Sequence, residues 1–205
     1  METGLFISGL IIGFSIAAPV GPIGVLCIRR TLSDGRASGL ASGLGAATAD
    51  ASYGLVAGLG LTSVSSLLVA QQGWLRLFGG IFLLYLGARI YFSPPSTEAA
   101  VGGGKGLLWT YLSTFVLTLS NPTTILSFVA VFAGLGVAVG DGGLEKVPVL
   151  VAAVFLGSAA WWLLLVGVVG SLRARLSTEA IIWINRVSGI IIGTFGLVAL
   201  VSLVV

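Results

Sequence analysis

One acidic side chain lies deep within a hydrophobic stretch of this sequence. Asp50 is flanked on both sides by apolar and small residues, whereas the other acids lie near the ends of such stretches or between them. An ionised carboxylate inside a bilayer costs at least about 2.5–3.5 kcal/mol, and intramembrane acids commonly handle protons or cations. Asp50 could therefore exchange a proton during transport, or serve structurally as a protonated hydrogen-bonding group. Tyr53, about one helical turn further on, is a weaker candidate for the same site.

The position of Asp50 on its helix predicts where its side chain points. At 100° per residue it shares one face with Gly39, Gly43, Ala46 and Gly54. Small residues mark close helix packing in membranes. We therefore expect Asp50 to point into a helix bundle rather than into lipid.

Prolines interrupt two hydrophobic stretches at corresponding places. Pro19, Gly21 and Pro22 lie late in the first stretch, and Asn121-Pro122 lies within the fourth. Proline removes a backbone donor and clashes with the preceding turn. Unpaired backbone groups in lipid cost several kcal/mol, so a break persists only where protein or cavity water satisfies them. Kinks absorbed by neighbouring helices would explain the prolines, but two matching breaks favour discontinuous helices that line a binding cavity.

A polar ridge precedes the second break. It consists of Thr110, Thr114, Thr118 and Asn121, at helical spacing. Threonine hydroxyls often bond back to carbonyls of their own helix, which is a purely structural alternative for the three threonines. Asn121 could cap a helix that starts at Pro122, or offer its amide to a ligand.

The elements that carry these residues are membrane helices. Charged residues make up 8% of the chain and hydrophobic residues 57%, whereas about a quarter of residues are charged in soluble proteins. A bilayer-spanning helix needs roughly 20 apolar residues. Six runs meet this need: residues 4–28, 37–61, 73–92, 107–134, 147–172 and 180–205. The predicted fold class is an all-α integral membrane protein with six transmembrane helices.

The two halves of the chain repeat each other. Trp74, Gly80 and Gly87 recur at identical spacing as Trp183, Gly189 and Gly196, and residues 44–47 resemble residues 156–159. Because three is odd, a second copy of three helices must insert upside down, as in many secondary transporters. We predict two inverted three-helix repeats, residues 1–95 and 107–205, with broken first and fourth helices and a linker at residues 96–106.

The basic residues predict the orientation. Most of them lie at the first, third and fifth loops: Arg29, Arg30, Arg36, Arg89, Lys105, Arg173, Arg175 and Arg186. Positive loops favour the cytoplasm, so both termini should lie outside, and a reporter active only in the cytoplasm should fail when fused after Val205. No basic stripe with interleaved aromatic residues appears, so no nucleic-acid partner is expected.

Together these features resemble the lysine exporter (LysE/RhtB-type) family. The resemblance covers the whole chain and rests on Pro19-Val20-Gly21-Pro22, Asp50, Asn121-Pro122 and the segment at residues 79–87. It implies a multi-pass protein of a bacterial-type inner membrane that exports amino acids or similar small solutes. An ion or proton gradient would drive this transport, with no enzymatic activity and no cofactor.

A zwitterionic amino acid would suit the predicted site. Helix N-termini at the breaks attract a carboxylate, and freed carbonyls or Asp50 attract an ammonium group or the coupling proton. A divalent-metal exporter is the main alternative, although the chain has no histidine and one deep carboxylate. A thiol–disulfide electron carrier would need a cysteine pair, and Cys27 is alone. Membrane lipids are another expected partner, and the small-residue faces could pack within one chain or between two copies of it.

Overall fold

The computed structural model describes residues 2–19, 21–59, 71–93, 106–121, 124, 127–128, 146–172 and 176–203. Within these ranges the chain forms seven α-helices and no strands. The helices are α1 (Glu2–Ala17), α2 (Pro22–Ser33), α3 (Arg36–Gly58), α4 (Gln72–Tyr91), α5 (Gly106–Leu119), α6 (Val147–Leu172) and α7 (Thr178–Val201). The predicted all-helical class is confirmed for this part of the chain.

Three of the described helices are long and apolar enough to cross a membrane on their own, namely α4, α6 and α7. Helices α1 and α2 meet the same criterion only as a pair, bent by 79° at a short break. Large apolar side chains on α4 and α7 face outward, with Trp74 and Trp183 each more than half exposed. The protein is therefore a multi-pass membrane protein. The predicted linker lies almost entirely outside the described residues.

The first predicted run is two helices rather than one. Helix α1 ends at Ala17, and α2 begins at Pro22 after Gly21. Proline suits the first helical position because its fixed φ matches the helix and its missing N–H would have no partner there. Helix α2 continues through Arg29 and Arg30 to Ser33. The prediction that these two arginines belong to a loop is wrong.

A tight turn follows α2. Gly35, between Asp34 and the start of α3, has φ 98°, a conformation that glycine adopts without steric cost. It reverses the chain within two residues. Consequently α3 runs back along α2, and Thr31 lies against Gly39.

Helix pairing follows the glycines. Helix α1 packs on α6, α5 packs on α3, α3 on α6 and α4 on α7. Gly157 of α6 lies directly against the carbonyl of Leu10 in α1, and Gly45 of α3 lies directly against the carbonyl of Tyr111 in α5. At both places a side chain would collide with backbone. Glycine is therefore what lets these helices approach so closely.

Helices α4 and α7 meet through glycines at both ends of their contact. A Cβ on Gly189 would lie 2.7 Å from the carbonyl oxygen of Gly87, and one on Gly196 would lie 2.8 Å from that of Gly80. The higher-numbered glycine of α4 thus faces the lower-numbered glycine of α7, so the two helices are antiparallel. Close backbone contact at both places fixes their relative position along the axis.

The face of α3 that carries Asp50 packs against α6. Gly43 abuts Trp162, and Gly54 lies in ordinary contact with Val154. Asp50 itself is 3% exposed. The prediction that Asp50 points into the bundle is confirmed.

Candidate functional site

A large cavity lies at the break between α1 and α2. Its volume is about 500 Å³, within the usual range for small-molecule sites. Pro19, Gly21 and Pro22 line it from one side, and Asn121 lines it from the end of α5. Four of the predicted site residues thus meet at one cavity. Their roles in binding stay a prediction, and Pro122 lies outside the described residues.

The N-terminus of one helix and the C-terminus of another face this cavity. Helix α2 begins at Pro22, and no side chain in the described part of the chain caps its N-terminus, where the first backbone N–H groups have no partner within the helix. Helix α5 ends at Leu119, and Leu117, Ser120 and Asn121 line the cavity beside this end. A helix N-terminus carries partial positive charge and a C-terminus partial negative charge. The cavity can therefore favour a negative group at one wall and a positive group at another.

The remaining lining is mostly apolar, with a few polar side chains. Arg76 on α4 and Ser202 after α7 are both at the cavity, and an Arg76 Nη1 donates to the Ser202 carbonyl oxygen at 3.3 Å. The apolar lining residues include Ile16, Ile23, Leu75, Leu83, Leu117, Phe195 and Val198. Such a lining suits a small solute with an apolar portion beside its charged groups.

Asp50 lies elsewhere, in the interface between α3 and α6. Its Oδ2 accepts a hydrogen bond of 2.7 Å from the hydroxyl of Ser158. The residues described as lining the large cavity do not include Asp50. The structure therefore separates Asp50 from the residues at the helix breaks, which the sequence analysis had assigned to one site.

Tyr53 connects the Asp50 helix to the second break. Its hydroxyl donates to the carbonyl oxygen of Leu119, the last residue of α5, at 2.6 Å. Its ring stacks on Phe128 with centroids 5.2 Å apart. Tyr53 thus satisfies one of the α5 carbonyls that lack a partner within the helix.

The threonine ridge on α5 is only partly explained by bonding to its own helix. The hydroxyl of Thr110 donates to the Gly106 carbonyl oxygen at 2.5 Å, and that of Thr114 donates to the Thr110 carbonyl oxygen at 2.9 Å. The hydroxyl of Thr118 is buried, and it has no hydrogen-bond partner among the residues that the structure describes. The structural alternative therefore holds for the first two threonines and fails for the third.

Two residues of the ridge, Thr110 and Thr114, also contact a buried arginine that the sequence analysis placed in a loop. Arg30 is 5% exposed. Its guanidinium donates to the hydroxyls of Ser42, Ser113 and Thr114, and to the Thr110 carbonyl oxygen, at 2.7–3.0 Å. It ties α2 to α3 and α5, and every acceptor described for it is uncharged.

Arg29 is buried in a second polar cluster. Its Nη1 lies 2.7 Å from Oδ2 of Asp34, and its Nε donates to Oδ1 of Asn185 on α7 at 3.0 Å. The Ser33 hydroxyl donates to the same oxygen of Asn185 at 2.8 Å. In the sequence, both arginine clusters are indicated by polar residues within helices, namely the threonine ridge and Asn185.

In the described residues no group of three or more His, Cys, Asp or Glu side chains could hold a metal ion.

Comparison with known proteins adds the family. The chain is 25% identical over 197 residues to a protein of Bacillus subtilis (strain 168) named "Putative amino acid efflux protein YcgF", an alignment that covers 94% of this chain and 93% of that one. No solved structure matches the chain significantly. Residues 14–203 match the family described as LysE type translocator. Because the match spans nearly all of the sequence, this protein belongs to the LysE type translocator family.

Proposed function

We propose that this protein exports amino acids and that the amino-acid backbone binds in the large cavity at the helix breaks. Family membership makes the protein a translocator, and the name of the Bacillus relative supports amino acids as the class of solute. The observation that carries the proposal is the meeting of the α2 N-terminus and the α5 C-terminus at one cavity. An α-amino acid has both the negative and the positive group that these ends favour.

The carboxylate binds at the start of α2. Gly21 provides no side-chain acceptor for the first N–H groups of the helix, so these groups can donate to a ligand. Carboxylates bind readily at such helix ends. The ammonium group faces the end of α5, where Asn121 and the last carbonyls lie. The apolar lining receives the side chain of the substrate.

Two inverted repeats form the transport unit in this proposal. Helix α1 of the first half packs on α6 of the second, and α5 of the second half packs on α3 of the first. Gly45 and Gly157, at equivalent positions of the repeat, make equivalent contacts with the other half. The contact between α4 and α7 follows the same rule. Gly80 lies against Gly196, the repeat counterpart of Gly87, and Gly87 lies against Gly189, the repeat counterpart of Gly80. Such reciprocal contacts are what a two-fold relation produces.

Asp50 couples transport to protons in this proposal. Its hydrogen bond to Ser158 joins α3 of the first repeat to α6 of the second. Transporters of this kind work by moving one repeat against the other. A charge change at a carboxyl group in that interface would alter the contact between the repeats. We also propose that the protein lies in the inner membrane with both termini outside, as the positive residues predict.

Efflux of preloaded labelled amino acids tests the function. Cells that express the protein should release one chemical class of amino acid faster than cells carrying the empty vector. The panel should include acidic, basic, small polar and branched apolar members. If none leaves faster while the protein is present in the membrane, the proposed substrate class is wrong.

A substitution at Gly21 tests the binding mode. A Cβ at this position meets no atom within 4 Å, and φ is −103°, so side chains are accommodated. An aspartate there would cap α2 with its own carboxylate and compete with that of the substrate. We expect Gly21→Asp to raise the half-saturating substrate concentration about tenfold, which corresponds to about 1.4 kcal/mol of lost binding. Gly21→Ala, which cannot cap, should transport nearly as well as the wild type.

The comparison of the two variants isolates the carboxylate. Both place a Cβ at the same point, and only one adds an acceptor. Equal transport kinetics of Gly21→Asp and Gly21→Ala, measured in proteoliposomes, would show that the substrate carboxylate binds elsewhere.

A further inference from the structure

We infer that a second cavity, at the opposite end of α2, is a carboxylate-binding site. This arginine cavity has a volume of about 290 Å³. Its lining includes Arg29, Arg30, Asp34, Arg89, Ser93 and Thr110. None of these residues lines the cavity at the helix breaks.

Among the described residues that line the arginine cavity, the charges do not balance. Three guanidinium groups and one carboxylate line it. Asp34 is hydrogen-bonded to Arg29 at 2.7 Å. The positive charge of Arg30 is attracted by Asp34 and repelled by Arg29 and Arg89. A buried, uncompensated cation is costly at low dielectric, and a bound anion would offset that cost.

Guanidinium donors remain available at the cavity. Arg30 uses Nη1 and Nη2 for its hydrogen bonds, and its Nε has no acceptor among the described residues. The Arg89 side chain is exposed and has no hydrogen bond or ion pair within the described part of the chain. An arginine presents its donors in a planar fork that matches a carboxylate. Arg30 and Arg89 can therefore hold one carboxylate between α2 and α4.

The hydroxyl groups around Arg30 keep it in place without neutralising it. Ser42, Ser113 and Thr114 fix the guanidinium from α3 and α5. A carboxylate in the same place would have formed a permanent ion pair. A positioned cation with uncharged partners can instead bind and release an anion, as a transport pathway requires.

The arginine cavity lies at the end of the bundle that the positive residues place in the cytoplasm. An exporter takes up its substrate there, so the site would capture the amino-acid carboxylate before it moves to the helix breaks. This identification of the ligand rests on the proposed function. The preference for a carboxylate rests on the arginines alone.

A cysteine at Ser93 can report on the site. Ser93 lines the cavity, and the native Cys27 is fully buried. In a Ser93→Cys protein the introduced thiol is therefore the accessible one. Its reaction rates with negatively charged sulfonatoethyl and positively charged trimethylammonioethyl methanethiosulfonate are compared. The ratio of the two rates is normalised to that for 2-mercaptoethanol. We expect the ratio to favour the negative reagent in phosphatidylcholine proteoliposomes.

Two arginine variants test the origin of this preference. Adding Arg89→Gln to Ser93→Cys should lower the ratio about three- to tenfold, because one nearby positive charge is lost. Adding Arg186→Gln removes a positive charge from the part of α7 near Asn185 but outside the cavity, and should leave the ratio unchanged. Acetate should slow the reaction of Ser93→Cys, whereas its neutral analogue acetamide should not.

Several outcomes would overturn the inference. The first is the absence of a preference for the negative reagent. The second is an equal fall of the rate ratio with Arg89→Gln and with Arg186→Gln, and the third is equal protection by acetate and acetamide. Loss of the preference in phosphatidylglycerol membranes would assign the cavity to a lipid headgroup instead of a soluble carboxylate. Amino-acid efflux without any preference for the negative reagent would overturn this site and leave the proposed function standing. If the preference, its fall with Arg89→Gln and the protection by acetate are all observed but no amino acid is exported, the carboxylate site is supported and the proposed function is overturned.

Discussion

Asp50→Asn is expected to abolish the acceleration of amino-acid efflux by an inward proton gradient, with a loss of at least about tenfold in the driven rate, or about 1.4 kcal/mol in the barrier. Asparagine has nearly the same shape as aspartate and can still accept the hydrogen bond from Ser158. It cannot bind or release a proton. The α3–α6 contact should therefore persist, and only the step that depends on the proton should be lost.

The measurement separates coupling from binding. Proteoliposomes are loaded with a transported amino acid, and efflux is followed with and without an imposed pH difference. Exchange of internal for external amino acid, which needs no net proton movement, should continue in Asp50→Asn. Ser158→Ala is the matched control, because it removes the same hydrogen bond but keeps the carboxyl group. It should remain sensitive to the gradient.

Two results would contradict the role of Asp50. If Asp50→Asn responds to the pH difference as the wild type does, the coupling group lies elsewhere. If Asp50→Asn and Ser158→Ala lose efflux and exchange to the same extent, the hydrogen bond between the repeats is what matters, and Asp50 is structural.

Gly157→Ala is expected to destabilise the protein by about 1–3 kcal/mol, the usual cost of overpacking. A Cβ at Gly157 would collide with the carbonyl group of Leu10, which belongs to the α1 backbone and cannot rotate away. Helix α1 would have to move away from α6. Because α1 leads into the break that lines the large cavity, transport should fall as well.

Gly167→Ala provides the control in the same helix. A Cβ there meets no atom within 4 Å, so the change alters helix propensity without altering packing. Alanine is favoured over glycine in helices by about 1 kcal/mol, and this variant should be as stable as the wild type or more so. Thermal unfolding in detergent, followed by circular dichroism, should show a melting temperature several degrees lower for Gly157→Ala than for Gly167→Ala. Equal melting temperatures would mean that α1 does not pack on α6 as described.

Local properties of the sequence were enough to predict the helical membrane class. Hydrophobicity and the shortage of charges are sums over neighbouring residues, and they require lipid whatever the tertiary arrangement. The break at Pro19–Pro22 is equally local, because proline ends a helix through its own ring and its missing N–H. The inward direction of Asp50 followed from the small residues on its own helical face.

Contacts between distant helices were beyond such reasoning. Arg29 and Arg30 follow a hydrophobic run and look like a loop in sequence, but α2 continues through them. Their burial depends on hydroxyl and amide groups of α3, α5 and α7, more than 80 residues away in several cases. A guanidinium is stable inside the bundle only when these acceptors surround it. No pattern within α2 reveals that they do.

The separation of Asp50 from the helix breaks also depends on packing. Spacing along one helix shows which residues share a face, but not which helix covers that face. Here α6 covers the Asp50 face, with Ser158 opposite the carboxylate, while the breaks meet α4 and α7 at a different cavity. Helix pairing is decided by close backbone approaches such as Gly157 on Leu10 and Gly45 on Tyr111. These approaches need both partners at once, and so they are a property of the assembled bundle rather than of any single segment.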